Sequence, residues 1–163
     1  MRPPLRRPGF PLAVALAGLA ILSGCGGGDT QTMTKAQFVS AADQICKRAH
    51  DQFTAAQQNP PNTAQGTADL QRNLIDISEN ELQEIRDLEA PAEAQPALDR
   101  YLRAREQGIA LLKKGLQAAE NDDAQAYSAA MAKLAAGQVQ RLKLAQSVGF
   151  TECSRPGGAS TGG

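Results

Sequence analysis

Three breaks and one stop divide the centre of this chain into four segments whose only consistent reading is helical. The breaks are Asn59-Pro60-Pro61, Ala90-Pro91 and Asn121-Asp122-Asp123, and the stop is Gly149. Proline lacks the amide hydrogen that a helix interior needs and clashes with the preceding turn, so a helix that approaches Pro60 or Pro91 ends before it. Between the breaks, apolar residues return every three or four positions. That interval lines them up on one face of a helix, whereas a strand would need alternation.

The local chemistry at the segment ends agrees with this pattern. Thr34 followed three places later by Gln37 makes a capping box, and Met33 with Phe38 has the spacing of a hydrophobic staple. Phe38, Ala42, Ile45, Ala49 and Phe53 then form the first stripe. The second segment starts near Asn62 or Thr67 and runs to about Glu89, with Leu70, Leu74, Ile77, Glu81, Ile85 and Leu88 on one face. The third starts between Pro91 and Pro96 and carries Leu98, Leu102, Arg105, Ile109, Leu112, Leu116 and Ala119. In the fourth, an N-cap within Asn121-Asp122-Asp123 leads into Tyr127, Met131, Leu134, Ala135, Gln138, Leu142, Ala145 and Val148. Gly149 follows as the residue that leaves the helix, with Phe150 placed to touch the last turn.

Short connections make successive helices antiparallel, so the expected fold is all-α, an up-down-up-down four-helix bundle. Folding the second segment back on the third about Pro91 pairs residues of constant index sum. Leu88 then meets Leu98, Ile77 meets Ile109, Leu74 meets Leu112 and Leu70 meets Leu116. The polar interruptions of the two stripes, Glu81 and Arg105, fall opposite each other. A charged side chain is almost never buried alone, so a Glu81–Arg105 ion pair is expected across this seam.

The N-terminal part carries an address. Arg2, Arg6 and Arg7 precede an apolar run over residues 12–22, too short to span a bilayer, which takes about 20 residues. The run ends in Leu22-Ser23-Gly24-Cys25, a lipobox, so a cleaved signal peptide is expected, cut between Gly24 and Cys25, with palmitate-type lipid on Cys25. Arg6-Arg7 with Phe10 resembles a twin-arginine signal, but Phe10 sits one place too far along, and general secretion is expected. The expected organisation is a lipoprotein signal peptide over 1–24, lipidated Cys25 and a flexible Gly-rich tether over 25–33, a helical domain over 34–153 and a disordered tail over 154–163. The tether reaches only about 20–25 Å from the lipid.

Cutting there leaves 139 residues, one domain's worth of chain. Basic and acidic side chains balance at 17 each, but three of the basic ones lie in the leader, so the remainder is net acidic by three. That excludes a nucleic-acid partner, which needs a clustered basic surface, and a polybasic contact with anionic lipid. With Cys25 alkylated, Cys46 and Cys153 remain as an even pair in an oxidising compartment, and a disulfide between them is expected. Closing a loop of over 100 residues corresponds to about 4–5 kcal/mol of chain entropy.

No cluster rises to a catalytic or cofactor motif. Asp43, Cys46 and His50 share a helix face, but the disulfide consumes Cys46, and one His with one carboxylate falls short of a zinc site. Glu79, Glu81, Glu84, Asp87 and Glu89 read as a solvated helix face, with no calcium loop. Arg105 opposite Glu81 would keep that carboxylate ionised and unfit as a general acid. Ser40, Ser78, Ser128 and Ser147 lack a nucleophile elbow, and His50 is the lone imidazole. Neither an enzyme, a metal nor a cofactor is expected.

Ala42-Asp43-Gln44-Ile45-Cys46, the hinge Leu88-Glu89-Ala90-Pro91 and the ending Val148-Gly149-Phe150-Thr151-Glu152-Cys153 together resemble a group of small secreted helical lipoproteins of high-GC Gram-positive (actinobacterial) bacteria. The resemblance spans nearly all of the chain after the leader. It implies a helical bundle bracketed by two paired cysteines at the extracytoplasmic face of the cell membrane. The group has no assigned activity, so the resemblance carries over no catalytic residue. The function expected is that of a membrane-anchored envelope lipoprotein, a non-catalytic interaction or structural module whose partners are the membrane, through the lipid on Cys25, and another envelope component. The alternative is a bundle that binds a small ligand or lipid between its helices.

Overall fold

Helices α1 (Lys35–Ala56), α2 (Ala64–Arg86), α3 (Gln95–Glu120), α4 (Ala124–Ala136) and α5 (Gln138–Val148) follow one another in a computed structural model that describes residues 33–156. No strand occurs among the described residues. The leader, Gly24, Cys25, the tether before Met33 and residues 157–163 lie outside them.

The ends form for the local reasons the sequence contains. The Thr34 side chain accepts from the Gln37 amide at 3.3 Å, and Gln37 Oε1 accepts from the Thr34 amide at 2.9 Å, completing the capping box. Thr63 caps α2 by accepting from the Gly66 amide at 3.0 Å. Asp123 does the same for α4, at 2.9 Å from the Ala126 amide. At the far end Gly149 takes φ +107°, a conformation that a side chain would strain. Its amide donates to the Gln146 carbonyl at 3.0 Å, and the Phe150 amide donates to that of Ala145 at 3.1 Å. These two bonds are a Schellman motif, and they turn the chain sharply off α5.

Helix α3 packs on α2, α4 and α5, while α1 packs on α2. One core cluster gathers Phe38, Ala42, Ile45, Ile85, Leu98, Tyr101, Val148 and Phe150. Phe150 is its hub, with ring centroids 5.7 Å from Phe38 and 5.4 Å from Tyr101. Full burial of an aromatic or large aliphatic side chain is worth about 1.5–3 kcal/mol, so this hub ties α1, α3 and α5 together.

Two expectations need correction. Leu74 and Ile77 group with Ala49 and Phe53 of α1, and it is the neighbouring Ile75 that joins Leu112 and Leu134. Because α2 packs against both α1 and α3, it needs two apolar strips rather than one. The fourth expected helix is also present in two pieces. Arg141 folds back so that its Nη2 donates to the Leu134 carbonyl at 2.8 Å, the group a continuous helix would offer to the amide of residue 138. A Cβ at Gly137 would lie 2.7 Å from Arg141 Nη1, so the side chain takes this path because residue 137 is glycine.

Charged residues mark the α2–α3 seam. Arg72 pairs with Glu120 at 2.7 Å, Glu79 with Lys113 at 2.6 Å, and Arg86 with Glu106. Residue numbers fall along α3 as they rise along α2, so the two helices run antiparallel.

After Phe150 the chain turns back onto α1. Cys153 is bonded to Cys46 with Cα atoms 5.1 Å apart, as expected from the cysteine count. Asp43 Oδ1 accepts from the amides of Thr151 and Glu152 at 2.9 and 2.8 Å. The turn continues through Ser154 and Arg155, past the boundary expected at Cys153, with the Arg155 amide donating to Glu152 at 3.1 Å. Removing these two charge-assisted bonds in Asp43→Ala lowers stability by about 1–3 kcal/mol with the disulfide intact, while Asp43→Asn, which keeps an acceptor, loses less. Chemical denaturation under non-reducing conditions measures both, and an unchanged midpoint for Asp43→Ala would show that the disulfide alone holds the turn.

Candidate functional site

The interior polar cluster starts from Glu81, whose position on α2 points its side chain between α1 and α3. It is bonded to Arg105 of α3, with the two side chains only 7% and 20% exposed. Tyr101 stands one helical turn before Arg105, on the same face, with its hydroxyl near enough to Glu81 to favour the carboxylate's charge. Cys46 Sγ lies 3.4 Å from Glu81 Oε1. The disulfide leaves that sulfur without a hydrogen, so this is a packing contact, and the sulfur shields one side of the carboxylate from water. The expected ion pair and the expected disulfide are therefore parts of one cluster.

Arg141 of α5 reaches the same place. With Arg105, Tyr101, His50, Glu152, Arg155 and the disulfide it lines a cavity of about 80 Å³. Glu152 pairs with Arg155 at 2.7 Å. Arg141 has no carboxylate within ion-pair distance among the described residues, and the Arg105 Nε is buried there without a hydrogen-bond acceptor.

The electrostatics follow from this crowding. Burial pushes the Glu81 carboxyl above its ordinary value, and Arg105 and the Tyr101 hydroxyl pull it back only in part. The ion pair alone would have moved it the other way. Burial likewise raises Tyr101, reinforced by the negative charge of Glu81. For Arg105 burial acts downward, but Glu81 overrides it and leaves the guanidinium above its usual value. Arg141 is lowered, first by burial and then by the like charge of Arg105.

Other residues singled out from the sequence lie elsewhere. Asp43 clasps the C-terminal turn, and no grouping of His, Cys, Asp and Glu suited to a metal occurs among the described residues. In the acidic run, Glu79 and Glu84 form exposed pairs with Lys113 and Arg48. Ser78 is buried and donates to the Leu74 carbonyl at 2.8 Å. Gly24 and Cys25 are outside the described residues. Sequence reasoning passed over Tyr101 because it lies one position off the stripe through Leu102, and Arg141 because it is enclosed by Gln138 and Leu142 of the fourth stripe. The hint for Arg141 was a glycine four residues before it inside a helical pattern, which is unfavourable unless something approaches closely. No helix among the described residues is long and apolar enough to cross a membrane.

What this arrangement does chemically is hold fixed charge in a small, partly dehydrated space. A comparison of the chain with protein-family models, curated proteins and solved structures finds no significant match.

Removing one partner of the buried pair strands the other, so Glu81→Leu costs about 3 kcal/mol, and adding Arg105→Met to it recovers most of the loss. A carboxyl with a raised folded-state value binds its proton more readily in the folded protein, so its contribution is fully present below the unfolded value near 4.5 and fades as pH rises through the folded value. Wild type therefore loses stability relative to Glu81→Gln as pH is raised from 4 towards neutrality, which denaturation midpoints across that range measure.

Proposed function

We propose that this chain is a lipid-anchored helical domain at the extracytoplasmic face of a cell membrane, acting as a non-catalytic interaction or structural module of the envelope. The observation that carries this reading is the Cys46–Cys153 disulfide. Such bonds persist in oxidising compartments and are rare in the cytosol, so the bond supports export, which the leader ending in Leu22-Ser23-Gly24-Cys25 independently suggests. In this reading the signal peptide is cleaved after Gly24, Cys25 carries the lipid, and an up-down-up-down bundle, its last helix broken at Gly137, follows the tether. The likeness to small actinobacterial lipoproteins belongs to the same proposal.

The chemistry inside the domain favours a module over an enzyme. Glu81 is engaged by Arg105 and Tyr101, and Asp43 by backbone amides. Both carboxylates are thus committed to holding the fold. Binding of a small ligand is the second reading, favoured by the cavity beside Arg141. At about 80 Å³ it lies well below the roughly 300 Å³ at which pockets for drug-sized ligands begin.

The anchor is tested by Cys25→Ala. Expressed in a Gram-positive host, wild type partitions with membranes and the variant appears in the medium, as fractionation and immunoblotting record. A variant that stays with the membrane fraction would overturn the lipid anchor.

A further inference from the structure

The cavity beside the disulfide has a charge imbalance that the fold does not resolve. Its positive side chains are Arg105, Arg141 and Arg155, and its negative ones are Glu81 and Glu152. Glu81 is matched to Arg105 and Glu152 to Arg155, which leaves the Arg141 guanidinium as the surplus charge. Arg141 is half-buried, it is held by the Leu134 carbonyl at 2.8 Å, and Arg105 is near enough to repel it. Exposed arginines ordinarily avoid such a neighbour by swinging into solvent. This one is folded back across Gly137, where an added Cβ would come within 2.7 Å of its Nη1, and its stem runs past Gly108, where an added Cβ would touch it at 3.8 Å.

Arg105 is paired with Glu81 and adds its positive field to the same cavity wall. The surplus positive charge of Arg141 therefore calls for a small anion with oxygen acceptors.

We infer that the cavity lined by Arg105 and Arg141 is a binding site for a small, singly charged oxyanion such as a carboxylate or dihydrogen phosphate. The guanidinium is a planar fork of donors that matches two oxygens of one anion, and such bonds are roughly twice as strong as neutral ones. The space fits this class. A single water needs about 10–15 Å³, and the cavity measures about 80 Å³, room for a small oxyanion and too little for a nucleotide or an acyl chain. The site deepens the small-ligand reading without depending on the lipid anchor, because it rests only on described side chains.

The test uses the full chain with its disulfide formed, titrated with sodium phosphate or sodium acetate against sodium chloride at constant ionic strength while the thermal midpoint is followed. Binding to the folded state raises the midpoint by several degrees, about 3–6 °C at a large excess over the dissociation constant, and the rise saturates. General salt effects on burial grow without saturating, which separates them from occupancy. Arg141→Gln removes the saturable rise. Arg141→Lys keeps a weakened one, since the charge remains and the fork is gone. Gly137→Ala weakens it by displacing the fork with every charge in place. If neither anion gives a saturable shift in wild type, or if Arg141→Gln responds as wild type does, the site is refuted. A variant that fails to fold is replaced by isothermal titration of wild type at two pH values, 5 and 7, where absence of heat from both anions refutes the proposal equally.

Discussion

The turn after α5 is tied to α1 at two points, by the Cys46–Cys153 bond and by the amides that Asp43 accepts, and the arrangement of the remaining helices depends on that tie. Helix α3 sits among α2, α4 and α5, whereas α1 packs as a helix chiefly on α2. Without the returning turn, Phe38 and Ala42 would lose Phe150 as a neighbour, and α1 would cover one side of α2 alone. The loop closed by the disulfide, with a sequence separation of 107, is long enough that the constraint on the unfolded chain is worth about 4–5 kcal/mol. That is comparable to the whole stability of a modest domain.

The same tie creates the electrostatic interior. By placing a sulfur against the Glu81 carboxylate, it withdraws one side of that group from water, and burial then outweighs Arg105 in setting its proton affinity. A buried ion pair is weak evidence for stability, because desolvation offsets the attraction. Its value here is positional. Glu81 has to meet Arg105 and Tyr101, both on α3, so the rotation of α2 about its own axis is set by the need to satisfy a buried charge.

How much of this was legible depended on whether a feature's cause is local. Thr34 with Gln37, Asp123 and Gly149 act within one turn of chain, and their roles follow from sequence alone. The Glu81–Arg105 pair was legible for a different reason: each residue interrupts an otherwise apolar stripe, so each advertises an unmet need. Asp43 gave no such sign. Its partners are backbone amides more than 100 residues away, and an amide carries no mark of residue type. The break at Gly137 was hidden because glycine inside a helix costs only about 1 kcal/mol, and the arginine that exploits it is a tertiary neighbour. The double strip on α2 was missed because a single-stripe reading assumes one packing partner.

The exposed pairs on the α2–α3 seam act on register more than on depth of stability. Each such pair contributes at most about 1 kcal/mol, and salt screens it. Their order, however, is Arg72, Glu79, Arg86 on α2 against Glu120, Lys113, Glu106 on α3, alternating in sign at seven-residue intervals on both helices. Sliding one helix by seven residues would set Arg72 against Lys113 and Glu79 against Glu106, turning attraction into repulsion at every remaining position. The apolar residues of this seam are Leu, Ile and Ala, which tolerate such a slip far better than charges do. The buried pair therefore sets how α2 is rotated and the exposed ladder sets how far it is shifted, and together they remove both freedoms that an aliphatic seam leaves open.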